Sequence, residues 1–300
     1  MKGKVCMKQF LASLYKIVIA ILLIYLLEDK YEFSTWVKTN SFMYERTKED
    51  EFVLSLREKL LDGKETFTLN YIGEIELERF TNEIIDKVYE IDYSDTSSDY
   101  DYLRYNIRSI YTSIKGFGNN LKVTYKIDYN ESKEETKQLD KEIDKLFKEW
   151  KVSELSQYEI VKQVHDYVIN NASYDKTLTK YSAYENYFDQ SSTCQGYASL
   201  AYKMLTQAGI PTRIITGTAD GQSHGWNIVN LDGKWYNLDL TWDDPLTVDG
   251  SDILVYDYFL KSEEEFKNHI RDSEFTTKEF YASYPMGDFI LTTKGFHDLD

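Results

Sequence analysis

The sequence predicts an α+β fold: a nucleophile at a helix N-terminus packed on an antiparallel sheet, preceded by a small α+β module and an N-terminal apolar helix. Three observations predict it. Cys194 opens a segment with helical apolar spacing, two strand-like runs meet at Asp232-Gly233, and the stretch before residue 150 mixes helical and strand periodicities.

The leader comes first. Met1-Lys2-Gly3-Lys4, Lys8 and Lys16 precede an uncharged run from Ile17 to Leu27, which ends at Glu28-Asp29. A basic region followed by an apolar one is the pattern of an export signal. Counted back to Phe10, with Lys16 snorkelling, the run reaches the lower limit for crossing a bilayer. No small-x-small cleavage site follows, so residues 1–30 are expected to be an uncleaved anchor rather than a removed signal. Lysines before and acids after the run orient the remainder outward, at the extracellular face of the membrane, the alternative being a secreted protein whose leader acts as a signal peptide.

Residues 31–150 read as the small α+β module. Leu77, Phe80, Ile84, Val88 and Ile91 recur at helical spacing, predicting a helix over roughly 74–91, and Asp92 to Asp101 reads as a loop. Leu121, Val123, Tyr125, Ile127 and Tyr129 alternate with polar residues. That strand is expected to pair with Tyr105 to Ile114 across Gly116-Phe117-Gly118-Asn119-Asn120. Leu139, Ile143, Leu146 and Trp150 mark a further helix, and no chemical motif is visible in this region.

Residues 151–300 carry the chemistry. Ser156-Gln157-Tyr158-Glu159 has capping-box form and opens a helix striped by Ile160, Val164 and Val168, which ends near Asn170-Asn171. His165 within it reads as structural, having no partner pattern around it. The next helix starts at or near Cys194, with Ala198, Ala201, Leu205 and Ala208 on one side and Gly209 and Pro211 as its stop. Unpaired backbone N–H groups at that start favour a thiolate. Asp232-Gly233 then joins the strands His224–Leu231 and Lys234–Leu240 through a two-residue type I′ turn. If Leu231 faces Lys234, Trp226 opposes Asp239, and His224 and Asp239 become diagonal neighbours on one face.

Cys194, His224 and Asp239 therefore form the candidate catalytic set: a nucleophile, its general base and an orienting carboxylate. The alternative for Cys194 is a small buried hydrophobe, since its one companion, Cys6, lies in the leader. A net charge of −16 argues against a phosphate-binding surface, so no nucleic-acid partner is expected, and membrane contact is confined to the apolar leader. No cofactor motif is present. The spacing of Asp243, Asp244, Asp249 and Asp252 does not fit a calcium loop and reads as turn chemistry, so no metal is expected.

Together, Cys194-Gln195-Gly196-Tyr197-Ala198, Ala208-Gly209-Ile210-Pro211, His224-Gly225-Trp226-Asn227, Asp232-Gly233-Lys234-Trp235-Tyr236 and Asp239-Leu240-Thr241-Trp242-Asp243-Asp244-Pro245 resemble the bacterial transglutaminase-like domain. His165-Asp166-Tyr167, Tyr174-Asp175, Ser182-Ala183-Tyr184, Tyr258-Phe259-Leu260 and His269 extend the resemblance over roughly residues 155–275. One departure is Gly225, where that family more often has Ala. The resemblance implies a papain-like transglutaminase core whose Cys, His and Asp are Cys194, His224 and Asp239. It implies attack of the Cys194 thiolate on a protein or peptide amide, a thioester intermediate, and resolution by an amine or by water. The Cys194 backbone N–H and one further donor, with Gln195, Trp226 and Tyr184 as candidates, would hold the oxyanion. Acyl transfer, amide hydrolysis by the same triad, and a non-catalytic surface module are the three readings, and a complete triad counts against the last.

Overall fold

Ser132, Ser156 and Ser182 each start a helix in the same way. Each hydroxyl accepts the backbone N–H three residues on, and the glutamate at that position, Glu135, Glu159 or Glu185, accepts the serine's own N–H. Each such cap stabilises its helix by about 1 kcal/mol. The expected capping box at Ser156 is one of them. The computed structural model describes residues 48–73, 77–90, 100–245 and 253–288. The expected apolar helix within residues 1–30 lies outside these, as do Ile91, most of the expected loop from Asp92, and Asp249 and Asp252.

The first unit is a three-stranded antiparallel sheet covered by two helices. Helix α1 (Lys48–Leu61) precedes strand β1 (Thr66–Ile72), and helix α2 (Leu77–Tyr89) follows it. The short helix α3 (Asp101–Asn106) leads into β2 (Ile107–Phe117), which turns through Gly118-Asn119 into β3 (Asn120–Tyr129); the strand order is β1-β3-β2. Val123, Tyr125 and Ile127 alternate inward from β3 and are buried against Phe52, Leu56 and Leu60 of α1 and Ile84 and Val88 of α2. The expected strand pair therefore forms, with the strands running on through Gly116, Phe117 and Asn120 to leave only Gly118-Asn119 as the turn, and with one further difference. Tyr105 and Asn106 close α3 instead of starting β2, because α3 docks on the second unit through contacts described below.

Helix α4 (Lys133–Trp150) sends Leu139 and Ile143 into the core of the second unit. There they meet α5 (Gln157–Asn171), α6 (Ala183–Phe188) and α7 (Cys194–Gln207), the last of which carries Leu200, Met204 and Leu205. Between α5 and α7 the short strands β4 (Ser173–Tyr174) and β5 (Ser191–Ser192) pair in parallel. After α7 come β6 (Thr212–Ala219), β7 (Gln222–Leu231), β8 (Lys234–Leu238) and β9 (His269–Arg271), an antiparallel sheet ordered β8-β7-β6-β9. Helix α8 (Lys278–Ser283) closes the described chain.

The turn between β7 and β8 takes the predicted form. Asp232 and Gly233 have φ of 51° and 81°, and Leu231 pairs with Lys234. Period-2 alternation then divides β7 between two cores. Val229 and Leu231 face the helices, while Trp226 and Ile228 face Phe266, Phe275 and Phe280 on the opposite side. Mixed helix and sheet is thus what the sequence builds. Among the described residues, no helix is long and apolar enough to cross a membrane.

Candidate active site

The helix that begins at Cys194 starts differently from its neighbours. Thr193 is its N-cap, but the threonine side chain makes no capping bond, and its Oγ1 is buried without a partner. With no side chain over the first turn, the N–H groups beside half-buried Cys194 stay available to a developing negative charge. Asn227 fixes the helix to the sheet by donating from Nδ2 to the carbonyl of Ala198, 3.1 Å away.

The sequence placed His224 and Asp239 on one face of a hairpin, and the structure brings them into contact. His224 Nε2 lies 2.7 Å from Asp239 Oδ2, and the Cys194 side chain sits near enough to the imidazole to help raise it. Nε2 is committed to the carboxylate, which leaves Nδ1 as the nitrogen for sulfur. Asp239 is fully buried, and its Oδ1 accepts the backbone N–H groups of Thr241 at 2.9 Å and Trp242 at 3.2 Å.

A third group joins them. His269, delivered by β9, has Nε2 2.9 Å from the same Oδ2 of Asp239, while its Nδ1 meets the Lys267 carbonyl at 2.9 Å. The Lys267 carbonyl can only accept, so Nδ1 donates to it and Nε2 is the nitrogen turned to the carboxylate. Phe266, Trp242, Trp226 and Tyr258 surround its ring, with centroids 4.0, 4.6, 5.1 and 5.4 Å away. This aromatic shell keeps water from Asp239 and strengthens its ion pairing.

Burial alone would neutralise these groups. Desolvation pushes Asp239 up, but the His224 charge and the hydrogen bonds from His224 and His269 outweigh it and hold the carboxyl at about 2. Desolvation likewise pushes His224 down. The Asp239 charge and hydrogen bond, with a contribution from Cys194, overcome it and raise the imidazole to about 10. The arrangement favours an imidazolium beside sulfur and a carboxylate behind it.

The site opens on a cleft of about 510 Å³, lined among others by Tyr174, Ser223, His224, Thr241 and Trp242. A larger depression of about 690 Å³ lies around Asp101, Arg104, Arg213 and Glu274, where charged side chains pair with one another and no cysteine is among the lining residues. His224, Asp239 and His269 bring potential ligand atoms within 4.8 Å of one another. A cation there would have to displace both imidazole bonds to Oδ2.

The model described as the transglutaminase-like superfamily matches residues 144–240, which include Cys194, His224 and Asp239. The chain carries a transglutaminase-like domain. Over 146 residues it is 27% identical to kyphoscoliosis peptidase of Homo sapiens and, equally, to that of Mus musculus; each match covers 35% of this chain and 22% of the relative. The chain thus spans about a fifth of the length of these relatives. A crystal structure of a TGase is 18% identical, with a TM-score of 0.33, over 59% of this chain and 51% of that one.

Other residues of the transglutaminase-like domain take places that their local sequence did not reveal. His165 has two partners rather than none: Nδ1 meets Asp166 Oδ1 at 3.0 Å, and Nε2 meets Asp243 Oδ2 at 3.1 Å. Asp243 is correspondingly a fully buried ion partner, and its other oxygen accepts the Tyr258 N–H at 2.8 Å. This clasp ties α5 to the segment after Asp239.

The three side chains considered as oxyanion donors are engaged elsewhere. Gln195 Nε2 donates to the carbonyl of Tyr105, Trp226 Nε1 to Asn237 Oδ1 at 3.4 Å, and the Tyr184 hydroxyl to Gln138 Oε1 at 3.5 Å. The pairing of His269 with Asp239 was also unforeseen, and its sequence signal was its place among the downstream residues of the family resemblance.

Proposed function

We propose that the protein is a thiol-dependent acyltransferase acting on protein or peptide amides. The observation that carries this is the line from the Cys194 side chain through His224 to a buried, ionised Asp239. Cys194 Sγ attacks the amide carbonyl carbon, and the C=O electron pair moves onto oxygen. Collapse breaks the C–N bond as the His224 imidazolium gives its proton to the departing nitrogen, leaving a thioester and neutral imidazole. The imidazole then takes a proton from the incoming primary amine or water, and thiolate leaves. Asp239 stays ionised throughout and holds the ring in place.

Resolution by water would make the protein a peptidase or amidase. The peptidase name of its 27%-identical relatives supports this second reading. Incubating the protein with an amide donor, with and without a labelled primary amine, separates the two. Amine incorporation dependent on Cys194 supports acyl transfer, and Cys194-dependent release of free carboxylate without incorporation supports hydrolysis. No Cys194-dependent change in the donor rejects both. The basic, apolar leader adds the proposal that this chemistry takes place at the outer face of a membrane.

A further inference from the structure

We propose that Tyr105, a residue of α3 in the N-terminal unit, supplies the second oxyanion donor: its phenolic hydroxyl completes the hole begun by the Cys194 backbone N–H. The inference rests on the thiol acyl chemistry proposed above and assigns a donor from outside residues 144–240.

The first observation is Gly225. A methyl group at this position would overlap the Tyr105 hydroxyl and lie 2.9 Å from the ring carbon that bears it. Gly225 is the neighbour of His224, and it stands where the resembled family more often has Ala. Its missing side chain makes room for the phenol. Successive residues of a strand project to opposite faces. His224 lies on the Trp226 face, while Gly225 lies on the Asn227 face, where Asn227 bonds the start of the second turn of α7 through Ala198. The hydroxyl therefore lies on the face of β7 that packs on α7, near enough to Cys194 to feel its charge, and on the opposite face of the strand from His224. An acyl group on sulfur would direct its nitrogen toward His224 and its oxygen toward this hydroxyl.

The second observation is how firmly Tyr105 is placed. Its carbonyl accepts from Gln195, the residue after the nucleophile, and from Asn130 Nδ2 at 3.1 Å. At the other end of α3, Asp101 accepts from Arg213 Nε at 2.7 Å and Nη2 at 2.9 Å, and from the Ile214 N–H at 2.8 Å. The Tyr102 ring stacks on Tyr202 of α7, with centroids 6.1 Å apart. A six-residue helix from the first unit is thus clamped to both α7 and β6, and the side chain it presents at the nucleophile is the phenol.

The third observation is that the hydroxyl is fit to donate. Among the described residues it has no hydrogen-bond partner. Burial, with the nearby Cys194 and Asp239, pushes Tyr105 well above the usual phenol range, so it keeps its proton.

The test compares two reactions of the same sulfur in the full chain. Acylation of Cys194 by p-nitrophenyl acetate, read as a p-nitrophenolate burst, passes through a tetrahedral oxyanion; alkylation by iodoacetamide does not. Tyr105→Phe keeps the ring and removes the hydroxyl. It should slow acylation roughly 100-fold, the size of effect of losing one such donor, while alkylation and melting temperature stay unchanged. Gly225→Ala should slow acylation similarly by displacing the hydroxyl, and combining it with Tyr105→Phe should add no further loss. Undiminished acylation in Tyr105→Phe would overturn the assignment, as would equal slowing of both reactions or additive losses in the double variant. A wild-type burst without turnover of any amide would reject the proposed function instead, since the ester still reads the donor directly.

Discussion

Asp239 and His224 are joined at 2.7 Å through the carboxylate oxygen that also accepts from His269, so one buried atom orients two imidazoles. Asparagine cannot replace it. A carboxamide has no charge, and if its oxygen served the two rings its nitrogen would face the N–H groups of Thr241 and Trp242. Asp239→Asn is therefore expected to lower acyl-transfer activity by up to about 10⁴-fold, the loss caused by the same exchange in a Ser-His-Asp triad. It should also destabilise the fold by about 1–3 kcal/mol, because partners at a fully buried site are left unsatisfied. Activity per folded molecule, measured alongside thermal melts, checks both. Full activity would remove Asp239 from the catalytic set.

The same pair predicts how stability depends on pH. Asp239 is held at about 2 against an ordinary 3.8, so its stabilisation is present above pH 3.8 and is lost as pH falls through 2. His224 is raised to about 10 from 6.5, so its contribution is complete below pH 6.5 and is lost as pH rises through 10. Melting temperature should have a plateau between about pH 4 and 6.5 from this pair and decline on either side. In Asp239→Asn the decline between pH 6.5 and 10 should flatten. An unchanged alkaline decline in the variant would show that other groups cause it.

The parts of this architecture legible in the sequence are those set by local rules. Asp232-Gly233 specified the turn, the turn specified the register, and the register placed His224 and Asp239 on one face. The capping box at Ser156 and the inward alternation of Val123, Tyr125 and Ile127 were equally local. The parts that stayed hidden depend on residues distant in sequence. Tyr105 lies in an aromatic-rich run with strand propensity, yet it is helical because Asp101 docks on Arg213, 112 residues away. His165 lacked a visible partner because Asp243 is 78 residues downstream. Gly225 is visible in the sequence as a departure from the family pattern, but the side chain it makes room for, Tyr105, belongs to another unit.

Asp243 and Asp244 are adjacent, and their replacements should behave differently. Asp243 is fully buried between His165 and the Tyr258 N–H, and its own N–H bonds the carbonyl of Asp239 at 3.2 Å. Asp243→Asn breaks a buried pair and should cost about 3 kcal/mol, with a smaller loss of activity per folded molecule than Asp239→Asn. Asp244 accepts the Tyr197 hydroxyl at 2.5 Å at the edge of the cleft. Asp244→Asn keeps an acceptor there and should cost about 1 kcal/mol or less. Denaturant titrations of both variants check the difference, and equal destabilisation would mean that the His165 clasp contributes little.

The leader makes a prediction about topology. Its lysines precede the apolar run and its acids follow it, and short flanking segments rich in Lys remain on the cytoplasmic side. With no small-x-small site after the run, the segment should stay attached and serve as an anchor. Cells expressing the full chain should retain it in the membrane fraction, and protease added outside intact cells should digest residues 31–300. Moving Lys2, Lys4, Lys8 and Lys16 to the far side of the run should reverse that protection pattern. A shortened product free in the medium would show that the leader is removed, and protection of the wild-type chain from external protease would place the active site inside the cell.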